Sequence, residues 1–252
     1  MHSSITTVPL PNQPKPLHMQ RRLQRILRNN PYAGLHDQRS PTRESLENYI
    51  RKTFTQAYDA DVNVFAPLLL ELRCGGSISG VAGIRPAAGT DLFVEQYLDT
   101  SAEQYVSNVA AADIHRNEIV EVCNLAASRP GAHQIITLML AASLSAAGYR
   151  YAILAGTVQL VKMLTKQNFA MLDLGPADSS RLGNEAHHWG SYYETCPRVL
   201  VVDLEQTMVT LRQQLLPAAL LNIFATRTEA LGVSLKLERS AVRPAATESE
   251  VV

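Results

Sequence analysis

Glu118-Ile-Val-Glu-Val-Cys-Asn-Leu-Ala-Ala127, Ser128-Arg-Pro-Gly-Ala-His133 and Gln134-Ile-Ile-Thr-Leu-Met-Leu-Ala-Ala-Ser-Leu-Ser-Ala-Ala-Gly148 run on as one stretch. The first segment is apolar and β-branched and reads as a strand over 118–127. The last is too long for a strand and reads as a helix over roughly 131–147, stopped by Gly148 at the C′ position. Between them lies a short Arg/Pro/Gly turn. The first N–H groups of such a helix have no intrahelical partner, and they point back at the strand end. With the positive end of the helix dipole they make a site for a phosphate.

Outward from this unit the chain alternates in period. Arg150–Thr157 is a continuous apolar strand suited to lie parallel beside 118–127. A helix over 158–167 follows, closed by Asn168, which tolerates a left-handed cap. Then come a strand at Met171–Leu174, a polar loop over 175–184 and a last strand at Arg198–Asp203. On the N-terminal side, Ser40-Pro41 opens a helix over 41–58, with Leu46, Tyr49, Ile50, Phe54 and Ala57 at helical spacing. Val62–Arg73 reads as a strand with a bulge or edge at Phe65-Ala-Pro67. Cys74-Gly-Gly-Ser77 reads as a hairpin turn, and Ile78–Ala87 as the returning strand. Leu92–Leu98 is a short element, and Ser101 caps a helix over 102–112.

The expected organisation is a Pro-rich, basic arm over 1–41, a mixed α/β domain over 42–205, helices within 206–239 and a disordered tail over 240–252. In the arm, Pro9, Pro11, Pro14 and Pro16 favour extended backbone, and Met19–Arg28 forms a short basic amphipathic helix. It packs on the domain or a partner, or, as an alternative, lies on a membrane surface. The C-terminal part reads as two helices, Leu204–Leu216 and Ala218–Leu231, parted by Pro217. They could cover a cleft or form a homodimer interface.

Composition narrows the function. Lys+Arg and Asp+Glu both number 23 in 252 residues, so no global field favours nucleic acid. No apolar run reaches the ~18 residues of a transmembrane helix, and no signal core opens the chain. Cys74, Cys123 and Cys196 are odd in number and widely spaced, which argues against metal binding and for a reducing, cytoplasmic compartment. Cys123 reads as a small core residue, and His187-His188 lacks a third ligand for a metal.

Glu121 stands out. Strand alternation places Ile119, Glu121, Cys123 and Leu125 on one face and Val120, Val122, Asn124 and Ala126 on the other. A carboxylate in so apolar a run is either paired, with Arg85 or Arg116, or a functional base or anchor. The two are compatible.

This order of elements resembles the GNAT N-acyltransferase fold, a mixed sheet with a splayed parallel strand pair. Arg129-Pro130-Gly131-Ala132-His133 resembles its donor turn. Four motifs resemble the thermostable haemolysin family more closely: Gly83-Ile-Arg85-Pro-Ala87, Phe93-Val-Glu95-Gln-Tyr97-Leu98, Val120-Glu121-Val-Cys-Asn124-Leu125-Ala126 and Trp189-Gly-Ser-Tyr192-Tyr193. That family is similar to the acyl-homoserine-lactone synthases, whose pattern has Arg where Asn124 stands. The resemblance implies transfer of an acyl group from acyl-CoA or an acyl-carrier protein (acyl-phosphopantetheine), with no tightly bound cofactor. The acceptor would be a small-molecule amine, in specialised-metabolite or signal biosynthesis. It places the donor on Leu125, Ala126, Ala127, Arg129, Gly131, Ala132 and His133. Glu121, then Glu95, would be the base, and Tyr192 or Tyr193 would protonate the leaving thiolate. Arg85, Tyr97, Asn124, Trp189 and Tyr193 would line the acceptor site. Packing is the alternative for the Tyr pair and for Trp189. The competing class is a non-catalytic membrane-active or interaction protein, as the family name implies.

Overall fold

Seven strand segments, most of them rich in apolar residues, assemble into one sheet with helices on both faces. The computed structural model describes Arg28, residues 30–129 and residues 131–241. Its strands are β1 (Tyr32–His36), β2 (Leu68–Cys74), β3 (Ser77–Pro86), β4 (Ile119–Ala127), β5 (Tyr151–Gly156), β6 (Met171–Pro176) and β7 (Arg198–Asp203). They lie in the order β1-β2-β3-β4-β5-β7-β6. The helices are α1 (Arg43–Tyr58), α2 (Ala102–Ala110), α3 (Ala132–Ala146), α4 (Val158–Lys166), α5 (Leu204–Gln213), α6 (Leu215–Ile223) and α7 (Ala225–Ala241).

One sheet face buries Leu70, Ile84, Val120, Leu154 and Leu200 under α3 and the C-terminal helices. The other face is divided. Leu69, Val81 and Ala126 pack under α1, while Ile119, Ile153 and Val201 pack under the segment around 93–106. At the C-terminus of α3, Gly148 adopts φ 84°, the left-handed stop expected of it. The Arg239 side chain of α7 donates to the carbonyls of Ala147 (3.3 Å) and Gly148 (2.9 Å). Gly232 lets α7 lie directly on α3, since a Cβ there would stand 2.6 Å from that of Ala146.

The feature that positions a site is a gap in the sheet. β4 pairs with β5 in parallel at three positions only: Ile119 with Tyr151, Val120 with Ala152 and Glu121 with Ile153. Both strands continue beyond that point, β4 to Ala127 and β5 to Gly156, without pairing to each other. The expected mixed α/β fold with a splayed parallel pair is therefore present.

Several expectations are corrected. Residues 32–36, read as arm, form β1 and pair antiparallel with β2. The strand read over 62–73 begins only at Leu68; the chain before it is irregular, anchored by Arg43 donating to the carbonyls of Ala66 and Pro67. The helix read over 102–112 ends at Ala110. Among the described residues the last helices number three. They break at Gln214 and Phe224, and Pro217 sits in the first turn of α6, where a missing N–H costs nothing. The basic helix expected over Met19–Arg28 falls, apart from Arg28, outside the described residues, as does the tail beyond 241.

The faces of β4 also differ from simple alternation. Asn124 has φ 49°, and the register against β3 jumps from Gly83–Cys123 to Val81–Ala126. This bulge turns Leu125 onto the Val122 face and Ala126 onto the Glu121 face, the reverse of the expected assignment. The Asn124 side chain fixes it, accepting from Ala66 N (3.0 Å) and donating to Val64 O (3.2 Å). Gly83 lies beneath: a Cβ there would meet Ala66 Cβ at 2.8 Å and Asn124 Oδ1 at 2.9 Å. Gly83→Ala should therefore cost about 2 kcal/mol, lowering Tm by roughly 4–8 °C in thermal unfolding. Gly76→Asn, in the open left-handed turn of the β2–β3 hairpin, should change stability by less than about 1 kcal/mol.

Candidate functional site

The gap between β4 and β5 opens a cavity of about 240 Å³ that runs through the sheet. Its floor is formed where the two strands last pair, at Glu121. This residue is 2% exposed. Its Oε2 accepts from Arg85 Nη1 (3.0 Å) and from the backbone N–H of Phe93 (3.2 Å), and its Oε1 accepts from Val94 N–H (2.8 Å). Arg85 is its register neighbour on β3. Burial pushes the Glu121 carboxyl above its ordinary value, while Arg85 and the two amides oppose that. Of the two partners considered for Glu121, the structure selects Arg85.

An aromatic wall stands over this pair. Phe93, Tyr97, Trp189 and Tyr192 all line the cavity, joined by Phe54 of α1. Trp189 lies 5.6 Å from the Phe93 ring and 5.4 Å from the Tyr192 ring. The Tyr192 hydroxyl faces the Ala155 carbonyl on β5 at 3.4 Å, and burial keeps that hydroxyl protonated by raising its pKa. Tyr193 stands behind, its hydroxyl 2.5 Å from that of Tyr97. It supports the wall through Tyr97 and is not among the lining residues.

Asn124 lines the cavity at the bulge, and at the other end Leu125 and His133 lie beside Thr157, Leu160 and Met163. Burial lowers the His133 pKa, favouring neutral imidazole. The N-terminus of α3 begins with Gly131 at φ 84°. Arg129 is exposed and donates to the Cys74 carbonyl of the β2–β3 hairpin (3.1 Å), so it stands at the rim of the turn. Ala126 and Ala127 supply backbone; Ala126 is buried against α1, and Ala127 packs on the α3 side. Cys123 also touches the cavity, but burial raises its thiol pKa, which removes the thiolate a nucleophile needs.

Glu95 is placed elsewhere. It bonds Arg116 at 2.7 Å and 2.9 Å and accepts from the N–H groups of Leu92 and Ala102 (both 2.8 Å). Burial alone would raise its pKa, but Arg116 and the two amides outweigh it and hold the carboxyl at about 2. Both oxygens are committed to fixing the 93–97 turn against the start of α2, which is a structural task.

The resemblance placed the donor between strands 118–127 and 150–157, and the cavity is lined there by Leu154–Gly156; it did not single out Phe54, Phe93, Leu160 or Met163. These four apolar positions look like ordinary core. One signal was available: Thr157 is an N-cap residue directly after a strand, and its side chain accepts from Leu160 N–H (3.3 Å).

The thermostable hemolysin family model matches residues 36–208. The chain belongs to the thermostable hemolysin family. No curated protein matches it. Among solved structures it is similar to TofI in an apo form, at 15% identity and TM-score 0.50, covering 71% of this chain and 95% of that one. Similarity extends to the AHL synthase LasI (13% identity, TM-score 0.48, 71% and 93% covered) and to BjaI, a CoA-dependent acyl-homoserine lactone synthase (14%, 0.48, 77% and 99%). At these identities the likeness to TofI establishes a shared fold.

The low pKa of Glu95 sets a pH test. A folded pKa below the unfolded value of about 4.5 gives stability that is full above pH 4.5 and lost as pH falls toward 2. Glu95→Gln should therefore cost about 2 kcal/mol at pH 7, and the difference from wild type should shrink steadily below pH 4.5 in urea unfolding.

Proposed function

We propose that this member of the thermostable hemolysin family is an N-acyltransferase that moves an acyl group from a thioester to the amine of a small molecule. The observation that carries the reading is the gap itself: beyond Glu121 the facing edges of β4 and β5 are unpaired. Unpaired strand edges seek hydrogen bonds. The pantetheine arm of acyl-CoA or of an acyl-carrier protein is an extended diamide. It fits there as an added strand against residues 125–127, with its phosphate toward Gly131, Ala132 and His133 at the α3 N-terminus and Arg129 at the rim.

The thioester carbonyl then lies near the bulge, and the amine approaches from the aromatic side. Glu121, raised by burial, takes a proton from the attacking amine directly or through water. The C–N bond forms, the C–S bond breaks, and the Tyr192 hydroxyl supplies a proton to the departing thiolate. Arg85, Tyr97, Asn124 and Trp189 shape the acceptor side. BjaI, of the same fold, is described as CoA-dependent and is seen with isopentyl-CoA, which favours testing CoA thioesters first.

A membrane-active protein is the competing class. Among the described residues no helix is long and apolar enough to cross a membrane. Thermal unfolding with CoA, octanoyl-CoA and an octanoyl-carrier protein decides between them. A ligand at 100 times its Kd adds about 2.7 kcal/mol of stability, a shift of several degrees. A shift with a thioester supports the transferase. Leakage of dye from lipid vesicles, with no shift from any thioester, contradicts it. With a substrate pair in hand, Glu121→Gln should lower kcat by about 100-fold or more while the circular dichroism spectrum stays native. Unchanged turnover would make Glu121 purely structural.

A further inference from the structure

The acceptor side of the cleft holds one group whose bonding is incomplete. Arg85 lines the cavity and gives only Nη1 to Glu121. Its Nε and Nη2 have no hydrogen-bond partner among the described residues, and neither is fully buried. A guanidinium offers two N–H groups along one edge in the spacing of a carboxylate, and an unmatched pair beside apolar walls is costly unless an anion or water meets it. Glu121, by contrast, is already met by three donors.

From this geometry we infer that the acceptor is an amine bearing a carboxylate on the neighbouring carbon, a free α-amino acid, whose carboxylate lies on the Nε/Nη2 edge of Arg85 while its amine faces Glu121. This rests on the acyl-transfer reading and names the substrate class of the same site. Arg85 and Glu121 are in direct contact at 3.0 Å, so a small acceptor held on the open edge of the guanidinium turns its amine toward the Glu121 side of the cleft, directly or through water. The order of charges is what a zwitterion needs: cation beside its carboxylate, anion beside its amine. Above the pair, Phe93, Tyr97 and Trp189 form the wall that meets the side chain. That wall favours an aromatic or large apolar side chain over a charged one. Among the described residues nothing else charged lines this end of the cavity to receive a second ionic group.

The reaction balances without a further reagent. The C–N bond forms as the C–S bond of the thioester breaks; the ammonium gives up two protons, one through Glu121 to solvent and one to the leaving thiolate, and the carboxylate is untouched.

The test uses the full-length protein with octanoyl-CoA and the twenty free amino acids, each beside its carboxamide and, where available, its decarboxylated amine. Turnover is read as thiol release, and binding is read separately as a shift in unfolding temperature. The inference expects at least one amino acid, phenylalanine and tyrosine first, to be acylated at least 10-fold more efficiently in kcat/KM than its amide or parent amine. Arg85→Gln should bring the kcat/KM ratio of acid to amide down to about one, whatever it does to the overall rate through Glu121. If Arg85→Gln fails to fold, the wild-type comparison of acid against amide still decides. Equal use of acids and amides overturns the inference and leaves acyl transfer standing. Failure of every amino acid both to react and to shift unfolding overturns it as well. In that case a shift with octanoyl-CoA alone keeps the transferase reading, and its absence removes both.

Discussion

The Glu121 carboxylate, buried and held by three donors, is the interaction on which the rest depends. It joins β4 to Arg85 of β3 and to the backbone of Phe93 and Val94. It also marks the last pairing of β4 with β5. A buried carboxylate is costly unless its lone pairs are met, and removing one partner of a buried ion pair costs about 3–5 kcal/mol. The chain meets that cost with groups that also build a wall of the cavity. The 93–97 turn is brought over the vertex of the gap because its amides are needed there, and it carries Phe93 and Tyr97 with it.

The remaining elements keep the gap from closing. On one side the Asn124 bulge, tied to residues 64–66, turns the end of β4 away from β5. On the other, β5 is paired along its whole length to β7 and cannot follow. Behind the sheet, α3 is clamped by Gly232 and Arg239 of α7, which fixes where its N-terminus points. The C-terminal helices thus brace α3 from the face opposite the aromatic wall.

What could be read from sequence follows from how strongly each element is patterned. The strand–turn–helix of 118–148 was legible because its apolar run changes period at a Gly/Pro turn. β1 was not, since Tyr32-Ala-Gly-Leu-His36 has no alternation and follows a Pro-rich stretch; only β2 beside it makes it a strand. The bulge was hidden because alternation assumes one residue per register step, though an Asn inside an apolar strand is a residue type that tolerates positive φ. Pro217 misled because Pro both ends helices and begins them. At the site, the motif residues on β3, β4 and the 189–193 segment come together, while Glu95 lies outside because Arg116, 21 positions away, holds it. The lining from β5 was expected from the splayed pair, while Leu160 and Met163 of α4 are apolar and cannot be distinguished from core until the gap is seen.

The central claim is that the space between β4 and β5 receives a thioester arm. A crystal structure of the protein with a non-hydrolysable octanoyl-CoA analogue tests it most directly. The account predicts the pantetheine lying between residues 122–127 and 154–157, hydrogen-bonded to the β4 backbone, with its phosphate at Gly131–His133 and its carbonyl facing Glu121 across the cleft. Closure of the gap by β4–β5 pairing, or the analogue bound on another surface with the cleft left vacant, would contradict it.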